Sequence, residues 1–462
     1  MSDPNDAPLP MDDMLNRIWS AVGGPAADLS LVRQGGEGSL PSLFAVSDLA
    51  VAAVAAAGLG IAERVMLAGQ RPASVEVSRR LASLWFATSF APEGWKPPPA
   101  WDPVAGDYRT RDGWIRLHTN APHHRDAALA VLGAAADRKA VAAAVANWTA
   151  SELEQAVVGN KGCAAAMRSR EEWAAHPQGV AVAAEPLVWR EEGEASRTQE
   201  PAIVAARPLR GVKVLDLTRV LAGPVATRFL AGFGAEVLRI DPPFWDEPAV
   251  LPDMTLGKRC ARLDLRRDDD RARLGALLAE ADVMVHGYRA DALEALGLGA
   301  AWRQAVRPGL VDVSLDAYGW SGPWAQRRGF DSLVQMSSGI AHAGMLHFGT
   351  DRPRPLPVQA LDHAAGYLLA ACALRGLNER ARAGKGSCWR TSLARVAALL
   401  AAAPPAQDDG PLTLMSEVDY SPVIETTGWG AVRRLRPPLA IEGAPMAWDR
   451  PAGPLGRDPA AW

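Results

Sequence analysis

The sequence predicts an α/β fold, a doubly wound parallel sheet of Rossmann-like type, with a smaller α+β region placed before it. Within residues 207–403, apolar strand patterns alternate with helix-length segments, which favours parallel pairing of the strands. The expected strands are residues 212–217, 236–240, 281–286 and 310–314, with a helix at 225–233 after the first. The smaller region opens with a short strand pair turning at Asp112-Gly113 and continues in helical patterns at 123–132 and 149–158. In doubly wound sheets, ligands bind beyond the carboxyl ends of the strands, here the loops 218–224, 241–243 and 287–289.

Clusters of Gly and Pro, together with a charged stretch at residues 190–200, divide the chain into parts. The N-terminal part is expected to be helical around residues 45–68 and 73–90. The predicted division is an N-terminal helical segment at 1–99, a small domain at 100–190, a linker at 191–206, a large domain at 207–403 and a C-terminal segment at 404–462.

Composition excludes several classes of function. The 462 residues carry 49 Lys plus Arg against 52 Asp plus Glu, a net charge of −3, so we expect neither nucleic-acid nor membrane binding. The four cysteines lack CxxC spacing, and the acidic N-terminus lacks the pattern of a signal peptide. These features predict a cytoplasmic protein. The long apolar run at residues 49–62 is too short to span a membrane and is interpreted as a core helix.

An aspartate opens an alanine-rich helix twice, at Asp48 and Asp362, and the two surroundings align without a gap at a spacing of 314 residues. Each carboxylate is either a helix N-cap or a positioned nucleophile. Spacing alone favours the cap. Gly366 and the small residues after it are expected to let other segments approach closely.

Other motifs in the sequence give weaker indications of function. The turn after the first strand reads TRVLAGP, which lacks the glycines of a dinucleotide site, and no P-loop or GxSxG motif occurs. His118, His123 and His124 lie close in sequence but without a clustered carboxylate or thiolate, so a solvated loop is favoured and no metal is predicted. The arginine pairs 266–267 and 327–328 sit at loops of the sheet and could hold phosphates.

Five segments in order resemble the class III CoA-transferase family, the formyl-CoA transferase and carnitine CoA-transferase group. They are residues 215–243 (LDLTRVLAGPVATRFLAGFGAEVLRIDPP), 258–266, 281–289, 318–340 and 360–374 (ALDHAAGYLLAACAL). Residues 111–118 (RDGWIRLH) and 162–179 resemble the small domain of the same family, and residues 433–456 resemble its C-terminal return to the large domain. In an ordinary member of this family the large domain precedes the small one, whereas here the small domain comes first. The chain therefore resembles two partial copies of the family's fold that are fused.

The resemblance implies transfer of CoA between an acyl-CoA and a free carboxylic acid through a covalent aspartyl intermediate. Asp362 matches the family's nucleophile, and its place at a helix start is expected to keep it ionised. Asp48 is interpreted as a relic cap, and Asp331 as either a residue near the reacting centre or a turn or cap residue. No cofactor is bound permanently, because the CoA thioester is the substrate. The family's interlocked dimers favour a homodimer.

CoA contacts carried over from the resemblance are Leu221, Ala222, Leu263, Asp264, Leu265, Arg266, Gly287, Tyr288, Arg289, Arg328, Gly329 and Phe330. The chain departs from the family at Pro242, Gly287 and Ala295, where contact residues of other members are missing. These departures favour an alternative, a catalytically weak acyl-CoA-binding pseudoenzyme or partner protein. A racemase is less favoured, since GFDSLV (329–334) replaces the motif of that branch.

Overall fold

The computed structural model describes residues 10–71, 73–196, 200–289, 291–405 and 410–462. The α-helices are α1 (Pro10–Ala21), α2 (Val46–Leu67), α3 (Arg79–Trp85), α4 (Pro122–Leu132), α5 (Arg138–Val145), α6 (Ala150–Gly159), α7 (Arg170–Ala175), α8 (Pro177–Ala184), α9 (Ala222–Gly232), α10 (Leu251–Met254), α11 (Asp268–Glu280), α12 (Ala292–Ala295), α13 (Ala300–Val306), α14 (Asp331–Ser337), α15 (Ile340–His347), α16 (Ala360–Ala383) and α17 (Leu393–Ala402). Short 3-10 helices cover Ala26–Leu31 and Glu417–Asp419.

The strands are β1 (Val32–Gly35), β2 (Val75–Ser78), β3 (Phe90–Pro92), β4 (Gly106–Arg109), β5 (Trp114–Leu117), β6 (Ala164–Ala166), β7 (Trp189–Ala195), β8 (Lys213–Leu217), β9 (Glu236–Asp241), β10 (Lys258–Arg262), β11 (Val283–His286), β12 (Val311–Asp316), β13 (Lys385–Ser392), β14 (Tyr420–Thr427), β15 (Gly430–Leu435) and β16 (Leu439–Ile441).

The largest sheet has seven strands in the spatial order β10–β9–β8–β11–β12–β13–β7. All neighbours in it pair in parallel except β7, which runs antiparallel to β13. The chain moves from β8 outward to β9 and β10 and then continues at β11 on the other side of β8, so the order reverses between β8 and β11. Ligands bind beside such a reversal in open parallel sheets. The predicted α/β fold with a mostly parallel sheet is confirmed.

Alternate residues of the central strands belong to two separate hydrophobic cores. Val214, Val283 and Val313 share one core with α9 and α16. Leu215 and Met284 share the other with leucines of α11. Burial on both faces explains why these strands are apolar at nearly every position.

Three small sheets surround the large one. The antiparallel sheet β4–β5–β6 packs its inner face on helices α4, α5 and α6, which confirms the strand pair expected around Asp112-Gly113. The sheet β14–β15–β3 is antiparallel. In the sheet β1–β2–β16, β1 is parallel and β16 antiparallel to β2.

The repeat seen in the sequence is also a structural repeat. Helix α2, strand β2 and helix α3 lie 314 positions before α16, the end of β13 and α17. Ser78 accepts a hydrogen bond from the backbone N–H of Leu81 and so caps α3, and Ser392 caps α17 in the same way through Arg395. The two long helices pack closely against each other because Gly60 of α2 has no Cβ. A Cβ at this position would lie 2.8 Å from the Cβ of Leu374 in α16.

Two local expectations were wrong. Residues 75–78 form a strand rather than part of a helix, since Val75 and Val77 alternate into the core between β1 and β16. Residues 190–195 form part of the edge strand β7 rather than a loop, and their charges pair with those of β13, as in Glu191 with Arg390. Residues 197–199 of the same charged stretch, and residues 406–409 in the loop predicted at 404–412, lie outside the described residues.

Helix α2 is long and apolar enough to cross a membrane by length and composition alone. However, 94% of its most apolar 18-residue stretch is buried inside the protein. The prediction that residues 49–62 belong to a core helix is confirmed.

Candidate active site

A cavity of about 370 Å³ opens at the carboxyl ends of β8, β11 and β12, beside the reversal of the strand order. Its walls come from two of the three loops predicted to bind a ligand, residues 218–224 and 287–289, from the loop before α14, and from the first turns of α16 and α17. The third predicted loop, 241–243, does not line the cavity, but Phe244 and Trp245 directly after it do. Gly366 allows this closeness, because a Cβ there would lie 2.5 Å from the carbonyl oxygen of Ala222. The expectation that Gly366 permits close approach is therefore confirmed.

Most residues carried over as site residues line this cavity. They are Leu221, Ala222, Gly287, Tyr288, Arg289, Arg328, Gly329, Phe330 and Asp362. The segment 263–266 does not line it. Leu263 and Leu265 are buried in the core under α11, and the exposed Arg266 pairs with Asp264 at 2.7 Å. Arg266 still lies near the cavity mouth, with its guanidinium 4.6 Å from the ring of Phe244.

Asp362 occupies the first turn of α16 and is buried at the cavity wall. It is not the N-cap residue, which is Gln359. No cation among the described residues lies within ion-pair distance of its carboxylate. Burial, and then the negative charge of Asp331, raise the pKa of Asp362 well above its ordinary value.

Asp331 opens α14 directly behind Asp362. Its Oδ2 accepts a hydrogen bond of 3.0 Å from the backbone N–H of Asp362, and its Oδ1 accepts one from Gln335 Nε2. Gln335 is itself fixed, because its Oε1 accepts from the backbone N–H of Leu356 at 2.7 Å. Burial raises the pKa of Asp331 to about 6, although these hydrogen bonds favour its ionised form. Asp331 is thus a partner of Asp362 rather than a turn residue at the surface.

The contact between Asp331 and Asp362 shows that the expected ionisation state of Asp362 was wrong. The dipole of α16 was expected to keep Asp362 ionised, but the neighbouring carboxylate and the loss of hydration act in the opposite direction and are larger. The two buried carboxyl groups therefore favour a state in which they share one proton.

Asp48 lies outside this cavity and is held in an ion pair. Its two carboxylate oxygens accept hydrogen bonds of 2.9 and 3.2 Å from the guanidinium of Arg79, and both side chains are buried. Asp48 is not a cap either, since the N-cap of α2 is Ala45. The residue 314 positions after Arg79 is Leu393, which lines the cavity with Asp362. The repeat thus pairs Asp48 with a cation, whereas the equivalent position beside Asp362 carries an apolar side chain.

The histidines form an aromatic wall rather than a solvated loop. His118 stacks on Phe330 with ring centroids 3.7 Å apart, and His123 and His124 line the cavity. Burial lowers the pKa of His118 and of His124 to about 3, so both rings are neutral. Among the described residues, no group of three or more His, Cys, Asp or Glu could hold a metal ion.

The neighbouring side chains of Arg327 and Arg328 have different surroundings. Arg327 lies 3.0 Å from Glu154 and 3.8 Å from the ring centroid of Trp324, so its charge is already compensated by the small sheet region. Arg328 lines the cavity, and its one hydrogen bond among the described residues is a 3.5 Å contact with the carbonyl oxygen of Lys161.

Several cavity residues were missed in the sequence. Arg219 and Val220 lie within a predicted ligand loop and could have been named from their position alone, and Trp245 comes soon after another. Leu393 could have been found by carrying the 314-residue repeat one position further. Asp316, at the end of β12, had no signal in the sequence. Burial raises its pKa to about 8, although its Oδ1 accepts hydrogen bonds from the backbone N–H groups of Tyr318 and Gly319.

The sheet, the cavity at its reversal and the buried carboxylate pair define an α/β protein with an acidic centre at the base of a pocket whose mouth carries arginines. Residues 209–419 match the family model described as CoA-transferase family III.

Two relatives and one solved structure illustrate the similarity. The chain is 30% identical over 302 residues to an acyl-CoA transferase of Gibberella moniliformis, covering 60% of this chain and 53% of the relative. It is 34% identical over 193 residues to the human succinyl-CoA:glutarate CoA-transferase, covering 39% and 44%. The crystal structure of Rv3272 from Mycobacterium tuberculosis is 30% identical, with a TM-score of 0.38, over 42% of this chain and 56% of that one. The chain spans about half the length of the curated relatives it matches.

Proposed function

We propose that the protein is a class III CoA-transferase that moves CoA between an acyl-CoA and a free carboxylic acid, with Asp362 as the covalent nucleophile. The observation that carries the proposal is the contrast within the repeat. Arg79 neutralises Asp48, whereas Leu393 leaves Asp362 without a counter-charge at the wall of a cavity. A carboxylate that folding leaves buried and unpaired is costly, so a functional role accounts for it better than a structural one.

In the proposed reaction, the Asp362 carboxylate attacks the thioester carbonyl, the C–S bond breaks, and CoA leaves as a thiolate. The product is a mixed anhydride on Asp362. The thiolate then attacks the aspartyl carbonyl, releasing the donor's carboxylate and forming an aspartyl-CoA thioester. The acceptor carboxylate attacks this thioester, and the same two exchanges in reverse order return free Asp362 and the new acyl-CoA. Each step needs a desolvated carboxylate in fixed geometry, which the first turn of α16 supplies.

Asp331 has two roles in this proposal. Its hydrogen bond to the Asp362 backbone fixes the start of α16. Its charge raises the pKa of Asp362 and so makes the nucleophile more basic once it has lost its proton. The free N–H groups at the start of α9 lie across the cavity and could stabilise the developing oxyanion.

CoA would extend from Asp362 towards the mouth along Leu221, Ala222, Tyr288 and Arg289, with Arg328 on the opposite side. The departures at Pro242, Gly287 and Ala295 mean that its affinity depends on other cations. A cytoplasmic homodimer remains our expectation.

We also infer a doubly wound large domain and a chain built from two partial copies of one unit. Each repeat places its strand between one parallel and one antiparallel neighbour. Val75 pairs with Val32 and Ile441, and the equivalent Trp389 pairs with Val313 and Arg190. Both antiparallel strands come from the other part of the chain, which supports a rearranged fusion.

Trapping the intermediate tests the proposed function. The protein is incubated with a panel of acyl-CoA donors without acceptor, and digested peptides are examined by mass spectrometry. We expect a CoA or acyl adduct on the peptide containing Asp362, its loss in Asp362→Ala, and its retention in the control Asp48→Asn. Turnover that persists in Asp362→Ala would refute the assignment. Binding of CoA without turnover or adduct by any donor would identify the acyl-CoA-binding protein instead.

A further inference from the structure

Arg219 is held at the mouth of the cavity between two aromatic rings. Its guanidinium carbon lies 4.7 Å from the centroid of Trp245 and 5.2 Å from that of Tyr288, and one of its nitrogens donates to the Tyr288 hydroxyl at 3.2 Å. No described carboxylate lies within ion-pair distance of it. Arg327, by contrast, is paired with Glu154. Arg219 is therefore an oriented, partly buried cation whose charge is left for a ligand.

The next residue, Val220, has a φ of 65°. This left-handed conformation is rare for a β-branched residue and persists only where surrounding contacts impose it. Val220 lines the cavity in the loop that leads from β8 to α9. The strain therefore lies beside Arg219, in the segment that aims its side chain.

Glu247 imposes this conformation. Its Oε2 accepts a hydrogen bond of 2.9 Å from the backbone N–H of Val220 and another of 2.8 Å from Trp245 Nε1. One carboxylate thus ties the loop after β8 to the loop after β9. It fixes both the backbone beside Arg219 and the ring on which Arg219 lies.

Glu247 is anchored in turn by a buried cation. Its Oε1 accepts from the guanidinium of Arg239 at 2.6 Å, and the same guanidinium bonds Asp241 at 2.8 and 3.0 Å. Arg239 is completely buried within β9. The arrangement of Arg239, Glu247, Trp245 and Arg219 therefore connects the sheet to the mouth of the cavity.

We propose that Arg219 binds a phosphoryl group of CoA and that Glu247 is a positioning residue that sets its geometry. The inference rests on the proposed function, because it assumes that CoA is the ligand of the cavity. Phosphate is the ligand chemistry expected, since a guanidinium held in one orientation offers paired N–H donors to its oxygens. The diphosphate and the 3′-phosphate of CoA are both sources of this group.

Calorimetric titration of the whole protein with CoA, dephospho-CoA and pantetheine tests the role of Arg219. We expect Arg219→Met to weaken CoA binding about tenfold or more, while pantetheine binding stays unchanged, because only the phosphoryl contact is lost. Equal weakening for CoA and dephospho-CoA assigns the diphosphate, and weakening for CoA alone assigns the 3′-phosphate. The matched control is Arg352→Met, which removes an exposed arginine outside the cavity lining.

Two results would overturn the role of Arg219. Wild-type protein that binds CoA while Arg219→Met binds it equally well refutes this inference and leaves the proposed function intact. So does a variant that loses CoA and pantetheine affinity in parallel. Wild-type protein that binds no CoA refutes the proposed function itself.

Steady-state kinetics test Glu247. Glu247→Gln keeps the size of the side chain but removes the charge held by Arg239, and Trp245→Phe keeps an aromatic ring, although a smaller one, but removes the Nε1–H donor. We expect both to raise the KM for an acyl-CoA several-fold and to leave kcat and the KM for the corresponding acyl-pantetheine unchanged. A general structural defect would lower kcat with both substrates, and that result, or an unchanged KM in both variants, would refute a positioning role.

Discussion

Burial and the negative charge of Asp331 both favour the protonated form of Asp362. Because the negative charge of Asp331 and burial both raise the pKa of Asp362, a proton stays on the pair at a pH where an exposed aspartate has lost it. In the proposed reaction, only the ionised form of Asp362 attacks the thioester. The rate of the first exchange should therefore rise with pH as the pair loses its shared proton, and fall on acidification.

Replacement of Asp331 by Asn should move this profile. The substitution removes the charge that raises the pKa of Asp362 but retains an oxygen that can accept from its backbone N–H. We expect the acidic limb of kcat/KM to shift to lower pH by about one unit or more. Measurement of kcat/KM between about pH 5 and 9 checks this, with Asp48→Asn as the control whose profile stays in place. An unshifted limb in Asp331→Asn would show that Asp331 does not set the ionisation of the nucleophile.

Asp48 and Arg79 form a buried pair whose value is structural. Replacement of Asp48 by Ala removes one partner of this buried ion pair, and we expect a loss of about 3–5 kcal/mol in the free energy of unfolding. Replacement of both residues by Leu should recover most of that loss, because both partners of the pair are then removed together. Denaturant unfolding measures both effects. Protein that stays folded should retain its activity, and loss of catalysis in the folded double variant would contradict the division of roles between the two aspartates.

At the scale of elements, the close approach of helices α9 and α16 determines the shape of the cavity that Asp362 lines. A Cβ on Gly366 would lie 2.5 Å from the Ala222 carbonyl oxygen and 2.6 Å from Val225 Cβ. Gly366→Ala should therefore push the start of α9 away from α16 and cost about 1–3 kcal/mol of stability. Because Ala222 and Asp362 both line the cavity, catalytic efficiency should fall as well.

Gly159 provides the control for this change. It ends α6, and a Cβ there would meet nothing within 4 Å. Gly159→Ala should thus leave stability and activity unchanged or raise stability slightly. Thermal unfolding and acyl-CoA turnover, measured on both variants, separate the two outcomes. Equal behaviour of the two variants would show that the helices can move apart without consequence.

The helices and strands could be predicted from the sequence more completely than the ion pairs and pKa shifts of the two aspartates. Periodicity and turn residues located β8, α9, β9, β11 and β12, because local pattern and burial agree there. They failed for β2, whose strand conformation depends on β1 and on β16 from the far end of the chain. The cavity loops followed from the strand order, but the ion pair of Asp48 with Arg79 and the raised pKa of Asp362 depend on which side chains meet in space. A pattern along the chain does not contain that information.

At the scale of the whole molecule, the two parts of the chain complete each other's sheets. Strand β7 from the first part pairs with β13 of the second, and β16 from the second part pairs with β2 of the first. Helix α2 packs on α16 within one chain, so both aspartate helices meet without a second copy. The homodimer remains a prediction that light scattering can check, but this helix contact does not require it.

This exchange of strands predicts that the chain can be divided without losing the site. Residues 1–206 and 207–462, co-expressed as separate chains, should associate and turn over acyl-CoA, because β7 with β13, β16 with β2, and α2 with α16 all remain as contacts between them. Each fragment alone exposes the apolar faces that the other covers and should aggregate or remain unfolded. Co-purification through a tag on one fragment, followed by an activity assay, measures this. Fragments that fold separately and do not associate would show that the two parts are independent domains.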